Sequence, residues 1–514
     1  MSAGEFVNPI GEGADPSIVK DGDRYLWCQS EGNVAVAIWA SPRLTSLGRK
    51  HVVWRAPASG SCSKQVWAPE LLKIDDRWYV YFAASDGDNS THRAYVLASD
   101  TADPLGGYTL HGPLFTGDGA DPSAENLWAI DMTVLEHDRA RYAIWSGWQA
   151  ADQDVQHLYL SQMRSPVELA GPRVRICASD DHLWERAEES PRSRGLNEAP
   201  QVLTQGGRVF CVYSCAASWL PTYKQGMLEL TGPDPTQPDH WTKAPVPVFS
   251  SDDKTYGVGH GGFARSPDGS QWWHTFHAKV DRAGGWRRAI HLQPMRWRAD
   301  GTPDLGCPVP PGEPLEVPSG TVRSPRMGPL SWDFAAGADA LGDFDYYGHH
   351  QFFESRNDGL HLGVVPPAPV NDYRSGEKVV LRDGDYGDLR ASVAFGFVSG
   401  NRGVGLLFRT TAAGVGFDAQ RGYFAGIVPR RRCVVLGSMD GSRFVQFAEA
   451  PYDVDTDQLQ TLLVEAVGDA IDVSVDGSAG SISHHDASHP IGSVGLRVVN
   501  THARFESLTV QPLP

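Results

Sequence analysis

Residues 15–28 read DPSIVKDGDRYLWC. A short loop of small and polar residues leads into a strand-like run, then a Gly/Asp turn, then a strand rich in aromatics. That order decides the fold, because it returns four times: WAPELLKIDDRWYVYFAAS (67–85), DMTVLEHDRARYAIWSGW (131–148), EAPQVLTQGGRVFCVYS (198–214) and HGGFARSPDGSQWWHTFHA (260–278). From Asp15 through Trp67, Asp131, Glu198 and His260 the intervals are 52, 64, 67 and 62 residues. The turns KDGDR, KIDDR, EHDRAR, TQGGR and SPDGS have hairpin chemistry. Each unit runs on into further strand-like text such as AYVLAS or LYLSQM. Such units predict sheets of about four strands repeated around an axis. The expected fold is therefore a five-bladed β-propeller over residues 1–310; the period is too long for WD-type repeats.

Beyond the fifth unit the text changes. Residues 311–328 are rich in Pro and Gly and read as a surface linker. From 329 to 514, runs such as ASVAFGF, GVGLLFRT, GYFAGIV, CVVLGSM, LQTLLVEAVG and IDVSVDG alternate apolar and small or polar residues between turns. They predict a second all-β domain, a β-sandwich of jelly-roll-like type. Its ending, VGLRVVNTHARFESLTV, resembles the last strands of concanavalin/laminin-G-like modules.

Composition agrees with an all-β chain: 16 Trp, 16 Tyr, 19 Phe and 55 Gly among 514 residues. A net charge of −17, with only short basic clusters at Arg287-Arg288 and Arg430-Arg431-Arg432, argues against a nucleic-acid partner. The seven cysteines are odd in number and scattered, which is neither a disulfide framework nor a zinc pattern; most are expected as buried small hydrophobes. No run of 18 apolar residues occurs, so no membrane partner is expected, and MSAGEFVNPI lacks the character of a secretory signal. The chain as written reads as cytoplasmic, or as secreted if a leader has been removed.

The pentapeptide GADPS occurs at 13–17 and again at 119–123. Asp15 and Asp131 both open a repeat, whereas Asp121 lies ten residues ahead of one and reads as an Asp-Pro turn. Loops before the innermost strands of a propeller meet at one end of its channel. Asp15, Asp131, Glu198 and His260 should therefore converge. Three carboxylates in one pocket repel each other, and at least one pKa should rise. That arrangement suits glycoside hydrolysis, in which an acid protonates the leaving oxygen and a base activates water.

The motifs ADPS (14–17), WAPEL (67–71), IDMTVL (130–135), NEAPQVL (197–203) and GHGGF (259–263), with WSGW (145–148) and RRAIHLQPMRW (287–297), are similar to those of glycoside hydrolase family 43, in the family's order. The resemblance implies a five-bladed propeller that inverts configuration at the anomeric carbon. FAASDGDNSTHRAYVLASDTADPLGGY and YAIWSGW resemble exo-acting α-L-arabinofuranosidases, although DMT and GHGG depart from the commoner text at those places. By this resemblance Asp15 is the general base, Glu198 the general acid and Asp131 the modulator of the acid. Arg288 reaches the sugar near the modulator, and Trp67, Trp128 and Trp148 wall the pocket. His260 is the channel histidine that in many members faces a calcium ion or a water cluster. Inversion requires carboxyls of base and acid roughly 6.5–9.5 Å apart. No organic cofactor is implied; calcium would be structural or electrostatic. The expected partner is a plant cell-wall oligosaccharide or polysaccharide such as arabinan or arabinoxylan.

Other readings of the same residues are a β-D-xylosidase on this scaffold and a non-catalytic carbohydrate-binding propeller. An exo-β-1,3-galactanase is disfavoured by Asp15. In the second domain Asp383 and Asp385 of RDGDYGD fit a hairpin turn better than a calcium site. His349-His350 and His484-His485 read as surface pairs.

Overall fold

The structure is a computed structural model that describes residues 4–119, 126–348, 353–363, 376–475 and 480–514. Asp121, His349 and His350 lie outside the described residues. Five antiparallel sheets form the first domain. The first blade runs Ser17–Asp21, Arg24–Glu31, Ala35–Ser41, Arg49–Arg55; the second Lys64–Ile74, Arg77–Ser85, Arg93–Ser99, Tyr108–His111. The third is built on Ala129–His137, Ala140–Ala150 and Gln153–Ser165, with Val174–Cys177 outside. The fourth runs Asn197–Gln205, Arg208–Cys215, Lys224–Leu230, Trp241–Lys243. The fifth takes Gly259–Arg265, Trp272–Lys279 and Arg288–Trp297, and its outer strand, Gly11–Glu12, comes from the other end of the chain.

Each blade packs between two others, so its strands bury both faces. Arg77–Ser85 is buried at every position after the arginine, which is why the sequence shows a continuous apolar run rather than alternation. The core is accordingly five wedges. Cys28 and Ile38 share a cluster with Val80 and Phe82, Tyr81 with Trp145, Leu135 with Cys211, Phe210 with Phe276, and Trp27 with Trp273.

At the opening of each blade one residue has left-handed backbone: Asp15, Ala68, Asp131, Ala199 and His260, with φ of 53°, 44°, 56°, 54° and 43°. In blades two to five this residue lies in a β-bulge. Trp67 and Glu70 face Ala83 and Tyr81, Ile130 and Thr133 face Ser146 and Ile144, and Glu198 and Gln201 face Ser214 and Val212. Gly259 and Gly262 likewise face His277 and Thr275. The extra residue at this point bends the innermost strand and re-aims its side chains; blade two has a second shift between Lys64 and Trp67, at Gln65 with φ 51°. The five sequence openers thus fall in two classes. Asp15, Asp131 and His260 are the left-handed residue itself, whereas Trp67 and Glu198 precede it.

The second domain departs from the short strands expected. ASVAFGF and GVGLLFRT belong to one strand, Leu389–Thr411, which pairs along its length with Ser493–Pro512. Four register shifts, at Ala394/Phe395, Phe397/Ser399, Gly400/Gly403 and Leu407/Thr410, bend this pair without breaking it. Its first half pairs with Gln460–Val467 and its second with Arg421–Val428. The two layers of the sandwich therefore share their long strands, around one core that includes Phe395, Leu406, Leu436, Val464 and Phe505. The Gly-Asn-Arg-Gly stretch that reads as a turn is a bulge.

The Pro-rich stretch contributes a strand, Pro314–Glu316, paired with Glu5–Val7. Asp383 has left-handed backbone and also receives Arg43 of the propeller, Arg323 Nε at 3.2 Å and the Ser324 N–H at 3.1 Å. Ser46 Oγ donates to Asp345 at 2.8 Å across the same junction. All seven cysteines are free, with only Cys307 exposed. Among the described residues no helix is long and apolar enough to cross a membrane.

The ring is pinned by Asn8. Its amide donates to the Leu292 carbonyl and accepts the Leu292 N–H, both at 2.9 Å, and it is buried. Asn8→Ala leaves two buried backbone groups unpaired. We expect a loss of about 2–4 kcal/mol, read as a lower midpoint of chemical or thermal unfolding of the propeller.

Candidate active site

The end of the channel where the innermost strands begin gathers the carboxylates of three blades. Asp15 opens the first blade, and every described contact of its carboxylate falls on Oδ1. Arg288 Nη1 donates at 3.0 Å, and the Nδ1 atoms of His277 and His260 lie at 3.1 and 3.2 Å. His277 Nδ1 also accepts the Asp15 N–H at 3.2 Å. Asp131 Oδ2 accepts the Ala199 N–H at 3.0 Å, so the third blade's carboxylate holds the bulge that follows Glu198. Glu198 accepts from Tyr223 Oη at 2.7 Å on Oε1 and from Gln156 Nε2 at 3.2 Å on Oε2. Gln156 is itself set by Ser146 Oγ at 3.1 Å, which donates to the Asn197 carbonyl at 2.8 Å.

These surroundings drive the carboxyls apart. Burial by itself would raise the pKa of Asp15, but Arg288, then His260 and His277, outweigh it and hold the group well below the usual carboxylate range. Asp131 goes the other way: burial, then the charges of Glu198 and Asp15, push it well above its ordinary value. Glu198 is also raised, by burial foremost; the hydrogen bond from Tyr223 opposes the rise and the charge of Asp15 adds to it. Burial lowers His260, and it lowers His277 to about 3, with Arg288 adding to the effect. The site therefore holds one firmly ionised carboxylate, two carboxyls that resist ionisation and neutral imidazoles.

A fourth carboxyl was not singled out from the sequence. Glu70, of the WAPEL motif, is raised to about 7 by burial, against hydrogen bonds from Gln201 and Ser17. Gln201 Nε2 donates to it at 3.0 Å. Both residues lie three positions after their blade openers, Trp67 and Glu198, and a polar residue at that aligned position was the available signal. Tyr223, Gln156 and His277 sit on middle strands or loops that the repeat pattern does not mark.

Arg288 is placed on Asp15. Its guanidinium donates to the carboxylate expected to act as base, and its charge also acts on Asp131, beside which the resemblance put it. The three tryptophans form a file of rings with His92. Trp67 stacks on His92 at 3.9 Å, His92 meets Trp128 edge-on at 6.2 Å, and Trp128 stacks on Trp148 at 5.0 Å. Trp128 and Trp148 are buried, while Trp67 keeps part of its surface. His260 Nδ1 faces Asp15 and, at 3.9 Å, Asp131. Calcium takes six to eight oxygen ligands. Here the Asp15 oxygen is already tied to an arginine, and among the described residues no group of three or more His, Cys, Asp or Glu side chains could hold a metal.

Comparison with known proteins points the same way. The sequence model of the family described as Glycosyl hydrolases family 43 matches residues 6–303. A Streptomyces avermitilis protein named extracellular exo-alpha-(1->5)-L-arabinofuranosidase is 31% identical over 351 residues, 65% of this chain and 70% of that one. The crystal structure of an alpha-L-arabinofuranosidase from Lactobacillus brevis superimposes with a TM-score of 0.54 at 30% identity, covering 59% of this chain and 97% of that one. A xylan beta-1,4-xylosidase from Bacillus halodurans covers 98% of this chain and all of its own at a TM-score of 0.50 and 15% identity, a likeness of fold across both domains.

The electrostatics make a stability prediction. A carboxyl whose folded pKa is raised destabilises the fold progressively as pH climbs from the unfolded value, about 4, through the folded one. Asp131→Asn keeps an acceptor for the Ala199 N–H and removes the charge. Its midpoint of thermal unfolding should match that of the wild type near pH 4 and exceed it increasingly towards pH 8. A difference that is flat in pH would contradict the repulsion.

Proposed function

From its membership of glycosyl hydrolase family 43, to which this chain belongs, we propose that it is an inverting exo-glycosidase releasing terminal α-L-arabinofuranosyl residues. The chain is a glycoside hydrolase with a carbohydrate substrate. The finer reading rests on the opposite pKa shifts of Asp15 and Glu198 at one end of the channel, beside relatives named for arabinofuranosidase activity. The substrates proposed are arabinan, arabinoxylan and oligosaccharides derived from them, as plant cell-wall material.

In this reading Asp15 is the base. Its Oδ1 accepts from Arg288, so Oδ2 takes the proton of a water molecule as the water oxygen attacks the anomeric carbon. Glu198 is the acid. It gives its proton to the glycosidic oxygen while the bond from that oxygen to the anomeric carbon breaks. Asp131 positions the acid: it holds the backbone just after Glu198 and, when charged, keeps Glu198 protonated. Trp67 walls the sugar site, and Trp128 and Trp148 back it. Water is the only co-reactant.

The pH profile follows with a definite sign. Asp15 must be ionised, so activity persists to pH values below the ordinary carboxylate range. Glu198 must be protonated, so activity falls as pH rises through its elevated pKa, with Asp131 coupled to that step. On α-1,5-arabinobiose, Asp15→Asn and Glu198→Gln should each lower kcat/KM by about 10²–10⁴. On 4-nitrophenyl α-L-arabinofuranoside the Glu198 variant should lose less, because nitrophenolate leaves with little protonation. Proton NMR of the first-formed arabinose should show the β anomer; the α anomer would overturn the inverting mechanism. Release of xylose from 4-nitrophenyl β-D-xylopyranoside, and not of arabinose, would change the substrate and leave the roles in place.

A further inference from the structure

One tryptophan is spent on no core. Trp286, in the loop between Trp272–Lys279 and Arg288–Trp297, is 65% exposed. Lys279 pairs with Arg288 at the end of those strands, and His277 pairs with Gly259 at the blade opening. The loop therefore stands over the channel end that holds the carboxylates. The same register argument places the loop after Cys215, which pairs with Asn197, on that face too. It carries Trp219, whose ring centroid lies 6.1 Å from that of Trp286.

The two loops are fastened to each other. Lys279, itself buried, donates from Nζ to the carbonyls of Ser218 and Gly285, each at 2.6 Å. The Gly285 N–H donates to the Trp219 carbonyl at 2.9 Å. The Gly284 Cα is so close to that carbonyl that an added Cβ would sit 2.6 Å from it, which leaves no room for a side chain. On the other side, the Arg288 guanidinium lies 5.6 Å from the Trp286 ring centroid while it donates to Asp15. An exposed aromatic face is thus held on a fixed mount, one side chain away from the candidate base.

We propose that Trp286, with Trp219 beside it, is the platform for the leaving-group sugar: a neutral saccharide unit that lies outside the scissile bond and rests an apolar face on the indole. This rests on the glycosidase reading above and adds to it where the rest of the substrate sits. An indole presents a large, rigid surface at low entropic cost, and sugars without charge offer it C–H faces. A mount stapled through Lys279 makes the platform pre-formed, so little ordering is needed when the chain of sugars docks. The platform favours oligosaccharide over small leaving groups.

The test compares α-1,5-arabinotriose with methyl α-L-arabinofuranoside, whose leaving group reaches no platform. Trp286→Ala should lower the ratio of kcat/KM for trisaccharide over methyl glycoside about tenfold, mostly through KM, the order expected for losing one aromatic face. Trp286→Phe should recover most of it. An unchanged ratio in an active variant overturns the platform. A second readout needs no turnover: titration of the Glu198→Gln protein with arabinotriose, followed by tryptophan fluorescence and calorimetry, with and without Trp286. If the wild type cleaves no arabinoside yet the trisaccharide binds in a Trp286-dependent way, the platform stands and the arabinofuranosidase reading fails. If neither cleavage nor Trp286-dependent binding is seen, both fail.

Discussion

The site depends on one strand pairing. Gly11 and Glu12 pair with Ile290 and Ala289, and the Gly13 N–H donates to the Arg288 carbonyl at 3.2 Å. This closes the ring by giving the last blade its outer strand from the other end of the chain. It also delivers Asp15, two residues further on, to the guanidinium of Arg288, 273 positions away. A register slip of one residue would turn the strand's side chains to the opposite face and separate that pair. Closure of the fold and ionisation of the candidate base are therefore one structural event.

The remaining electrostatics follow from placing further carboxyls in the same enclosure. Only Asp15 among them has a cation in hydrogen-bond contact. Asp131 and Glu198 are held by an amide N–H, a phenol and a carboxamide, which are weaker partners for a charge than an arginine. Low polarity then favours their neutral forms. One enclosure thus contains a group poised to accept a proton and another poised to give one, the separation that acid–base catalysis requires. The left-handed residue at each opening, set in a bulge in blades two to five, is the backbone device behind it. Such conformations are uncommon outside glycine and persist where surrounding structure over-determines them; here strand pairing fixes them on either side.

The second domain solves a different problem with bulges. Two strands of twenty residues and more bend through register shifts and serve both layers of the sandwich. Its contacts with the propeller include polar ones through Asp383 and Asp345 and the Val415 N–H on the Pro9 carbonyl at 2.9 Å, beside Gly414 packed against Val7. Val415, Gly416 and Phe417 also line a cavity with Lys279 and Arg287, at the two ends of the loop that carries Trp286.

Much was legible in the sequence, for local reasons. Hairpin turns and the recurrence of apolar strands are set by residues near each other in the chain, and they specified five blades. The openers Asp15, Asp131, Glu198 and His260 stood out because a repeat turns distance in sequence into proximity around an axis. Glu70 and Gln201 obey the same rule one step on, at the third position after their openers. Tertiary structure alone decided the rest. Tyr223, Gln156 and His277 reach the site from loops and middle strands, where nothing periodic marks them. The sequence could not show that Arg288 would meet Asp15, because that contact exists only once the ring has closed. Nor could it separate Trp286 from fifteen other tryptophans. Burial is a property of what packs against a side chain, and for a chain folded from wedges the packing partner lies in the next blade or, across the closure, at the far end.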